Sequence, residues 1–394
     1  SLHLEYNRPV ARIKRHLQLN YPDIQFRTMD DVKRPALLNN RAKLATLISK
    51  GHTSTDIAKR LEVRKSVVDA ALKRLSVGNA KPFDGNFVEH QMDDIYYGNW
   101  FTIFDNPEKC FDKLLEIGFL GLRHTKESLV EAVNRLNVPV DHVLNANYYN
   151  VYCNIIITHF SQHYYRSFHD NYLPISAAWE PGNQIVLKDA VRQIWGPDIS
   201  IYRLVRYIGK FYKDFSPVSV FKPWVARAIY EKYLLVGGTI VDPCMGWGGR
   251  LLGTMDSNYQ YIGYDYNQLA IQSHKELSAF LGSRLVNKPV FNHADVTTAE
   301  IAKGDLLFTS PPYDNTEHYF GINSENTETA PIYHNILGNF NGIVALNVPK
   351  RHTKTVLQIA SEHGREHLET MEMKTTSFMG REKTFEPILV FKAK

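Results

Sequence analysis

The sequence predicts an α/β fold with a mostly parallel sheet in its second half, preceded by a mainly α-helical N-terminal region. Three observations carry this expectation. After Gly237-Gly238, short β-branched runs alternate with helical stretches, the pattern of strand-helix-strand units. The first run, Thr239-Ile240-Val241, passes into a Gly-rich turn, Asp242-Pro243-Cys244-Met245-Gly246-Trp247-Gly248-Gly249, and then into Arg250-Leu251-Leu252. A strand, a tight turn and a helix start therefore follow one another, which is how α/β folds bring backbone close to a nucleotide-like ligand. Upstream, from residue 41 onward, apolar residues recur at helical spacing. A chain of 394 residues, at about 150 residues per domain, makes two or three domains. We place them at 1–82, 83–216 and 217–394.

Hydrophobic residues are 44% of the chain and charged residues 22%, which excludes disorder over most of its length. No stretch approaches the roughly 20 apolar residues of a membrane span, and Ser1-Leu2-His3-Leu4-Glu5 has neither the basic nor the apolar part of a secretory leader. The expectation is a cytoplasmic protein with no membrane partner. Cys110, Cys153 and Cys244 are too few and too scattered for a disulfide framework or a four-ligand zinc site, so reduced thiols and no metal are expected. The net charge of +5 is unevenly divided: residues 1–82 hold 17 Lys/Arg against 7 Asp/Glu, a net of +10, and residues 83–394 carry −5. Such asymmetry suits a nucleic-acid or other polyanion partner at the N-terminal end, with a solvated basic tail as the alternative.

Within that basic module, residues 41–75 read as three short helices. Leu44, Leu47 and Ile48 share one face; Ile57, Ala58 and Leu61 the next; Val67, Val68, Ala71, Leu72 and Leu75 the third. Gly51-His52 ends the first helix, Thr53 or Ser54 caps the second, and Glu62-Val63-Arg64 leads into the third. This arrangement resembles a helix-turn-helix, whose last helix enters the major groove of double-stranded DNA. Its exposed positions would be Arg64, Lys65, Ser66 and Asp69, with Lys73 and Arg74 further along, types that reach guanine edges or phosphates. A small helical bundle with a solvated basic surface is the alternative. Residues 125–144 form a weaker echo, or a plain helical hairpin.

The middle segment, from about Phe83 to Phe215, is rich in aromatics and histidines and reads as helical. Its tyrosines stack on splayed bases or simply pack. His159 and His163, four apart, would share a helix face, but without a third ligand they read as packing residues.

In the C-terminal part, the second strand, Tyr259-Gln260-Tyr261-Ile262-Gly263-Tyr264, ends in Asp265, placed to bind ribose hydroxyls. A third, Pro289 to Ala294, leads to Asp295, suited to an adenine amino group. A fourth, Asp305-Leu306-Leu307-Phe308-Thr309, runs into Ser310-Pro311-Pro312-Tyr313. Two prolines there fix the backbone and remove two N–H donors, so carbonyl acceptors face a cleft beside a serine and an aromatic ring. Gly342 to Val348 reads as a fifth strand and Glu386 to Phe391 as a closing antiparallel one.

Over roughly residues 217–394 the chain resembles the amino-group DNA methyltransferases, which methylate adenine N6 or cytosine N4 from S-adenosyl-L-methionine. Ser310-Pro311-Pro312-Tyr313 is similar to their catalytic motif, and Asp242 to Gly248 to their cofactor loop, with Cys244 where Phe is usual. Phe221-Lys222-Pro223-Trp224, leading a helix through Tyr233, looks like their additional cofactor motif. The resemblance implies a Rossmann-like methyltransferase fold with a seven-stranded, mostly parallel sheet. It implies cofactor contacts at Phe221, Lys222, Pro223, Asp242, Pro243, Cys244, Gly246, Gly248, Asp265, Tyr266 and Asp295, and no metal.

It also implies that the target base leaves the helix. Ser310 and the Pro311 carbonyl would accept from its amino group, Tyr313 would stack on its ring, and transfer would be direct and in line. Cytosine-C5 enzymes use a nucleophilic Cys after Pro, but Pro243-Cys244 sits in the cofactor loop, so a structural role is expected. Residues 314–319 are expected to line the entrance. The 68 residues between the two main motifs leave no room for a target-recognition domain, which assigns recognition to residues 1–216. The alternatives are an RNA base methyltransferase, or a DNA-binding regulator with an inactive fold of this type. Ser310 tilts the family expectation slightly toward cytosine N4.

Overall fold

The computed structural model describes residues 103–119, 121–136, 151–197, 199–216, 218–234, 237–313, 317–322, 328–374 and 385–393. All of them lie in one compact unit, Phe83–Lys394. The helix-turn-helix expectation, with Arg64, Lys65, Ser66, Asp69, Lys73 and Arg74, lies outside the described residues, as do 137–144 of the second helical pair and Asp314-Asn315-Thr316.

The described residues of the middle segment are mainly helical, in keeping with their pattern. Helix α1 (Pro107–Ile117) starts with Pro107 behind an Asn106 cap, whose side chain accepts from Lys109 N, and buries Cys110, Phe111 and Leu114. Helix α2 (Lys126–Arg135) is capped by Thr125 and buries Leu129, Ala132 and Val133. Helices α3 (Val151–Phe160), α4 (Gln184–Ile194) and α5 (Ile201–Phe211) follow among its described residues. A short strand, β1 (Phe168–His169), follows α3 in the chain.

Helix α6 (Pro223–Tyr233) precedes the sheet. Strands β2 (Gly238–Asp242), β3 (Tyr259–Asp265), β4 (Val290–His293), β5 (Leu306–Thr309) and β7 (Ile343–Asn347) run parallel, while β9 (Phe385–Ala393) pairs antiparallel with β7 and with β8 (Arg365–Lys374). Their order is β4-β3-β2-β5-β7-β9-β8. This is the Rossmann-like methyltransferase fold expected from the sequence. Between β2 and β5 the order reverses direction, and in open sheets of this kind ligands bind at that point, in the crevice outside the carboxyl ends of the strands.

The pleat divides the core. Ile240, Leu306 and Phe308 face one way, into a cluster that runs without interruption to Leu129, Ile156, Leu187 and Leu204 of the middle segment. Val241 and Leu307 face the other way, onto Ile332 and Ile336 of α9 (Ala330–Asn339) and Val356 and Ile359 of α10 (Thr353–Glu362). Helices α7 (Gly249–Leu252) and α8 (Gln268–Leu281) follow β2 and β3.

Two strands depart from the sequence expectation. Glu317-His318 is strand β6 (Glu317–His318), paired with β1 through Phe168↔His318 and His169↔Glu317, rather than an entrance loop. The edge strand β8 is made largely of Glu, Lys, Met and Leu, residues without β preference; only its pairing with β9 makes it a strand. His159 and His163 do not share a helix face, because α3 stops at Phe160; both are packed in the interior.

Candidate active site

The crevice is floored by a buried polar network. Asp242, at the end of β2 and fully buried, accepts from Arg250 Nε at 2.7 Å and Tyr261 Oη at 2.6 Å through Oδ2, and from Thr309 Oγ1 at 2.8 Å through Oδ1. Thr309 Oγ1 in turn accepts from Cys244 N at 3.1 Å, and Arg250 also donates to the Cys244 carbonyl. The Asp242 side chain therefore lies beneath the loop and holds it to β5, instead of reaching the crevice.

Above this floor, the backbone is drawn tight. Met245 N donates to Tyr264 O and Gly246 N to Asp265 Oδ2, at 3.0 and 2.9 Å. Gly248 sits at φ +101°, in the left-handed region. A Cβ on Gly249 would lie 2.0 Å from the Phe221 carbonyl oxygen, so the loop and the Phe221-Lys222-Pro223 segment are in direct contact. Phe221 also packs edge-on against Phe308 at 5.3 Å and lies 5.2 Å from the Arg250 guanidinium carbon. Pro243 lies in this turn, and burial, with the Asp265 and Asp242 carboxylates nearby, pushes the Cys244 thiol well above its ordinary value. A thiol raised in this way stays protonated at neutral pH.

At the ends of β3 and β4, Asp265 Oδ1 accepts from Asn267 N at 2.9 Å, and burial raises its carboxyl to about 6. Two backbone donors leave a carboxylate further acceptor positions, enough for a pair of ribose hydroxyls. Next to it, Tyr266 is 59% exposed, and its carbonyl is bonded to His293 Nε2 at 2.8 Å. Asp295 is exposed at the end of β4 and accepts from Thr297 N and Oγ1. Of the sequence-predicted cofactor residues, Gly246 and Asp265 are joined directly by a hydrogen bond and Phe221 touches the Gly-rich loop, while Asp242, Pro243 and Pro223 are buried.

Ser310-Pro311-Pro312-Tyr313 follows β5. Ser310 Oγ donates to Asn347 Oδ1 at 3.2 Å, and the single proton of Tyr313 Oη is shared between Glu386 Oε2 at 3.1 Å and Asn347 Oδ1 at 3.4 Å. Asn347, 1% exposed, donates from Nδ2 to the Pro387 carbonyl at 3.3 Å. The turn is pinned by Thr329 Oγ1 on the Pro312 carbonyl and by Arg351 Nη2 on the Tyr313 carbonyl. Burial raises the Glu386 carboxyl. Sequence reasoning placed Asn347 and Glu386 inside strands without giving them a role. The available signal was a polar residue closing the apolar run Ile343 to Leu346.

Trp247, from the Gly-rich loop, closes the crevice against the middle segment. Its ring lies 4.9 Å from His163, 5.4 Å from Tyr164 and 5.8 Å from Tyr319, whose hydroxyl donates to Glu317. Burial lowers His163 to about 4, so it is neutral at physiological pH. Among the described residues, no group of three or more His, Cys, Asp or Glu is placed to hold a metal ion, and no helix is long and apolar enough to cross a membrane.

No protein-family model and no curated protein matches the sequence. Among solved structures, the chain is similar to magnesium protoporphyrin IX methyltransferase from Synechocystis PCC 6803 with bound SAM, at 15% identity over 52% of this chain and 90% of that one, with a TM-score of 0.34. It is similar to a TehB-like SAM-dependent methyltransferase from Corynebacterium glutamicum at 13% identity, over 45% and 90%, TM-score 0.31. It is also similar to a precorrin-6y C5,15-methyltransferase from Geobacter metallireducens at 13%, over 43% and 88%, TM-score 0.31. The strand order described above carries the assignment of the fold.

Proposed function

We propose that this chain is an S-adenosyl-L-methionine-dependent methyltransferase acting on the exocyclic amino group of a flipped base in DNA, cytosine N4 or adenine N6. The observation that carries the reading is the adjacency of two motifs: Ser310-Pro311-Pro312-Tyr313 ends β5 and the Asp242–Gly248 loop ends β2, and these strands are neighbours where the sheet order reverses.

The crevice residues suit the cofactor. Asp265 has acceptor capacity for ribose hydroxyls, Tyr266 and Asp295 flank the place for an adenine ring, and Gly246 and Gly248 leave the loop backbone bare on the remaining side. S-adenosyl-L-methionine supplies an electrophilic sulfonium methyl. Ser310 gives its own proton to Asn347, so its lone pairs and the Pro311 carbonyl are left to accept from an amino N–H and aim the nitrogen lone pair. Tyr313 provides the flat surface beside them. With the cofactor bound, a nitrogen–carbon bond would form as the carbon–sulfur bond broke, and the amino proton would leave to solvent. Duplex recognition is assigned to residues 1–82, with Arg64, Lys65, Ser66, Asp69, Lys73 and Arg74 at the groove.

The test is tritium transfer from labelled S-adenosyl-L-methionine to DNA and to RNA, followed by nucleoside analysis. Label on N4-methylcytosine or N6-methyladenine of DNA is the expected result. Label on RNA alone would make it an RNA base methyltransferase, and no label despite binding of cofactor and DNA would make it a regulator.

A further inference from the structure

Helix α5 buries Ile201, Leu204, Val205 and Ile208 and turns Arg203, Arg206 and Lys210 outward. Residues 201–213 contain four Lys/Arg and no Asp/Glu, in a region, 83–394, whose net charge is −5. Like charges three or four residues apart on one helix face repel, and Arg203 stands in the first turn, where the helix dipole disfavours a cation. Tyr207 and Phe211 lie among these cations as a ring pair at 4.4 Å, with Phe211 51% exposed and Lys210 Nζ 4.8 Å from its centre. Arg206 donates to Tyr202 Oη at 3.1 Å and lies over that ring. Asp189, from α4, is engaged by the Tyr212 hydroxyl. Together with Gln193 and Ile194 of α4, the cations and rings of α5 line a surface hollow of about 390 Å³.

We propose that this face of α5 binds an unpaired stretch of nucleic acid, with phosphates on Arg203, Arg206 and Lys210 and a base stacked on Phe211 and Tyr207. Cations alone would suit any polyanion. The exposed ring pair selects a single strand, because a duplex keeps its base faces covered. DNA and RNA single strands share this chemistry. The site is independent of methyl transfer and is read by binding alone.

The experiment is fluorescence anisotropy of the full chain with a labelled single strand of roughly 20 nucleotides, longer than one binding site. The same sequence is used as DNA, as RNA and as duplex DNA, each over a range of salt. Arg203→Gln/Arg206→Gln/Lys210→Gln should weaken single-strand binding at least about tenfold and lower the salt slope by about 2, near 0.7 for each cation. Phe211→Ala should weaken single-strand binding by roughly tenfold and leave duplex binding unchanged. The DNA and RNA arms show which strand is preferred; a loss in Phe211→Ala confined to single strands supports the site. An unchanged slope and affinity in the triple variant overturns the proposal, as does an equal loss on single strand and duplex in Phe211→Ala. If the triple variant unfolds at lower temperature, the three single changes decide, each expected to remove about 0.7 from the slope.

Discussion

Ser310 Oγ donates its proton to Asn347 Oδ1 at 3.2 Å, across the neighbouring ends of β5 and β7. Because Asn347 Nδ2 is held by the Pro387 carbonyl, the amide oxygen is the atom that faces Ser310 and Tyr313. The Ser310 hydroxyl, having its proton on Asn347, keeps its lone pairs available to accept. Ser310→Ala should lower methyl transfer by roughly 10- to 100-fold, the scale of a lost positioning contact. Asn347→Ala should lower it by about tenfold and cost about 1–3 kcal/mol of stability through the unpaired groups it leaves. Cofactor binding, measured by calorimetry, should stay near normal in Ser310→Ala; unchanged transfer rates in both variants would remove the cleft from the reaction.

Asp265 gives the protein a pH dependence. Its folded carboxyl is raised by burial to about 6 from the ordinary aspartate value of 3.8. Between those values the folded protein holds a proton that the unfolded chain releases, so this group's contribution to stability falls as pH rises from about 4 to about 6. Cofactor affinity should move the other way. Only the ionised carboxylate offers all its acceptor positions, so S-adenosyl-L-methionine binding should weaken below pH 6, by up to about tenfold per pH unit. Titrations at several pH values check this, and an affinity flat from pH 5 to 7.5 would contradict it.

Cys244 offers a contrasting expectation. Its thiol is held protonated by burial beside Asp265 and Asp242. Replacement by Ser should leave methyl transfer within about threefold, since a thiol that stays neutral is no nucleophile. Loss of transfer in Cys244→Ser, with cofactor binding and thermal unfolding intact, would show a covalent role.

The Asp242–Arg250 pair is buried on both sides, with side chains 0% and 4% exposed. Removing one partner strands the other, so Arg250→Met should cost about 3–5 kcal/mol. It should also free the Cys244 carbonyl and the Phe221 ring that Arg250 holds. Denaturant unfolding measures the first effect. A loss below about 1 kcal/mol would mean that Tyr261 and Thr309 alone suffice for Asp242.

Much of the sheet was legible because its central strands are buried on both faces and read as unbroken apolar runs, Leu306 to Phe308 above all. The loop after β2 and the proline pair after β5 were legible because Gly and Pro leave few backbone choices. Strand β8 was hidden by its edge position, where charged residues are tolerated and block pairing with other chains. Asn347, Glu386 and Trp247 were hidden for a different reason: their partners lie 37, 73 and about 80 residues away, at Ser310, Tyr313 and His163–Tyr164, and no local pattern reports such meetings. Glu317 was misjudged as loop because its pairing strand, β1, lies in the segment least readable from sequence.

The seating of Trp247 against His163 and Tyr164 bears on how such a protein could be re-targeted. The helices before residue 217 look from sequence like an exchangeable front end, yet Ser161 Oγ donates to the Trp247 carbonyl, Tyr164 to the Val218 carbonyl, and Ser167 accepts from Phe320 N. A chimera joined at residue 217 would leave the tryptophan and Phe280 without their cover. Exchanging front ends between such chains calls for a splice point upstream of residue 103, with the helices of the middle segment travelling alongside the parallel sheet as one inseparable cassette.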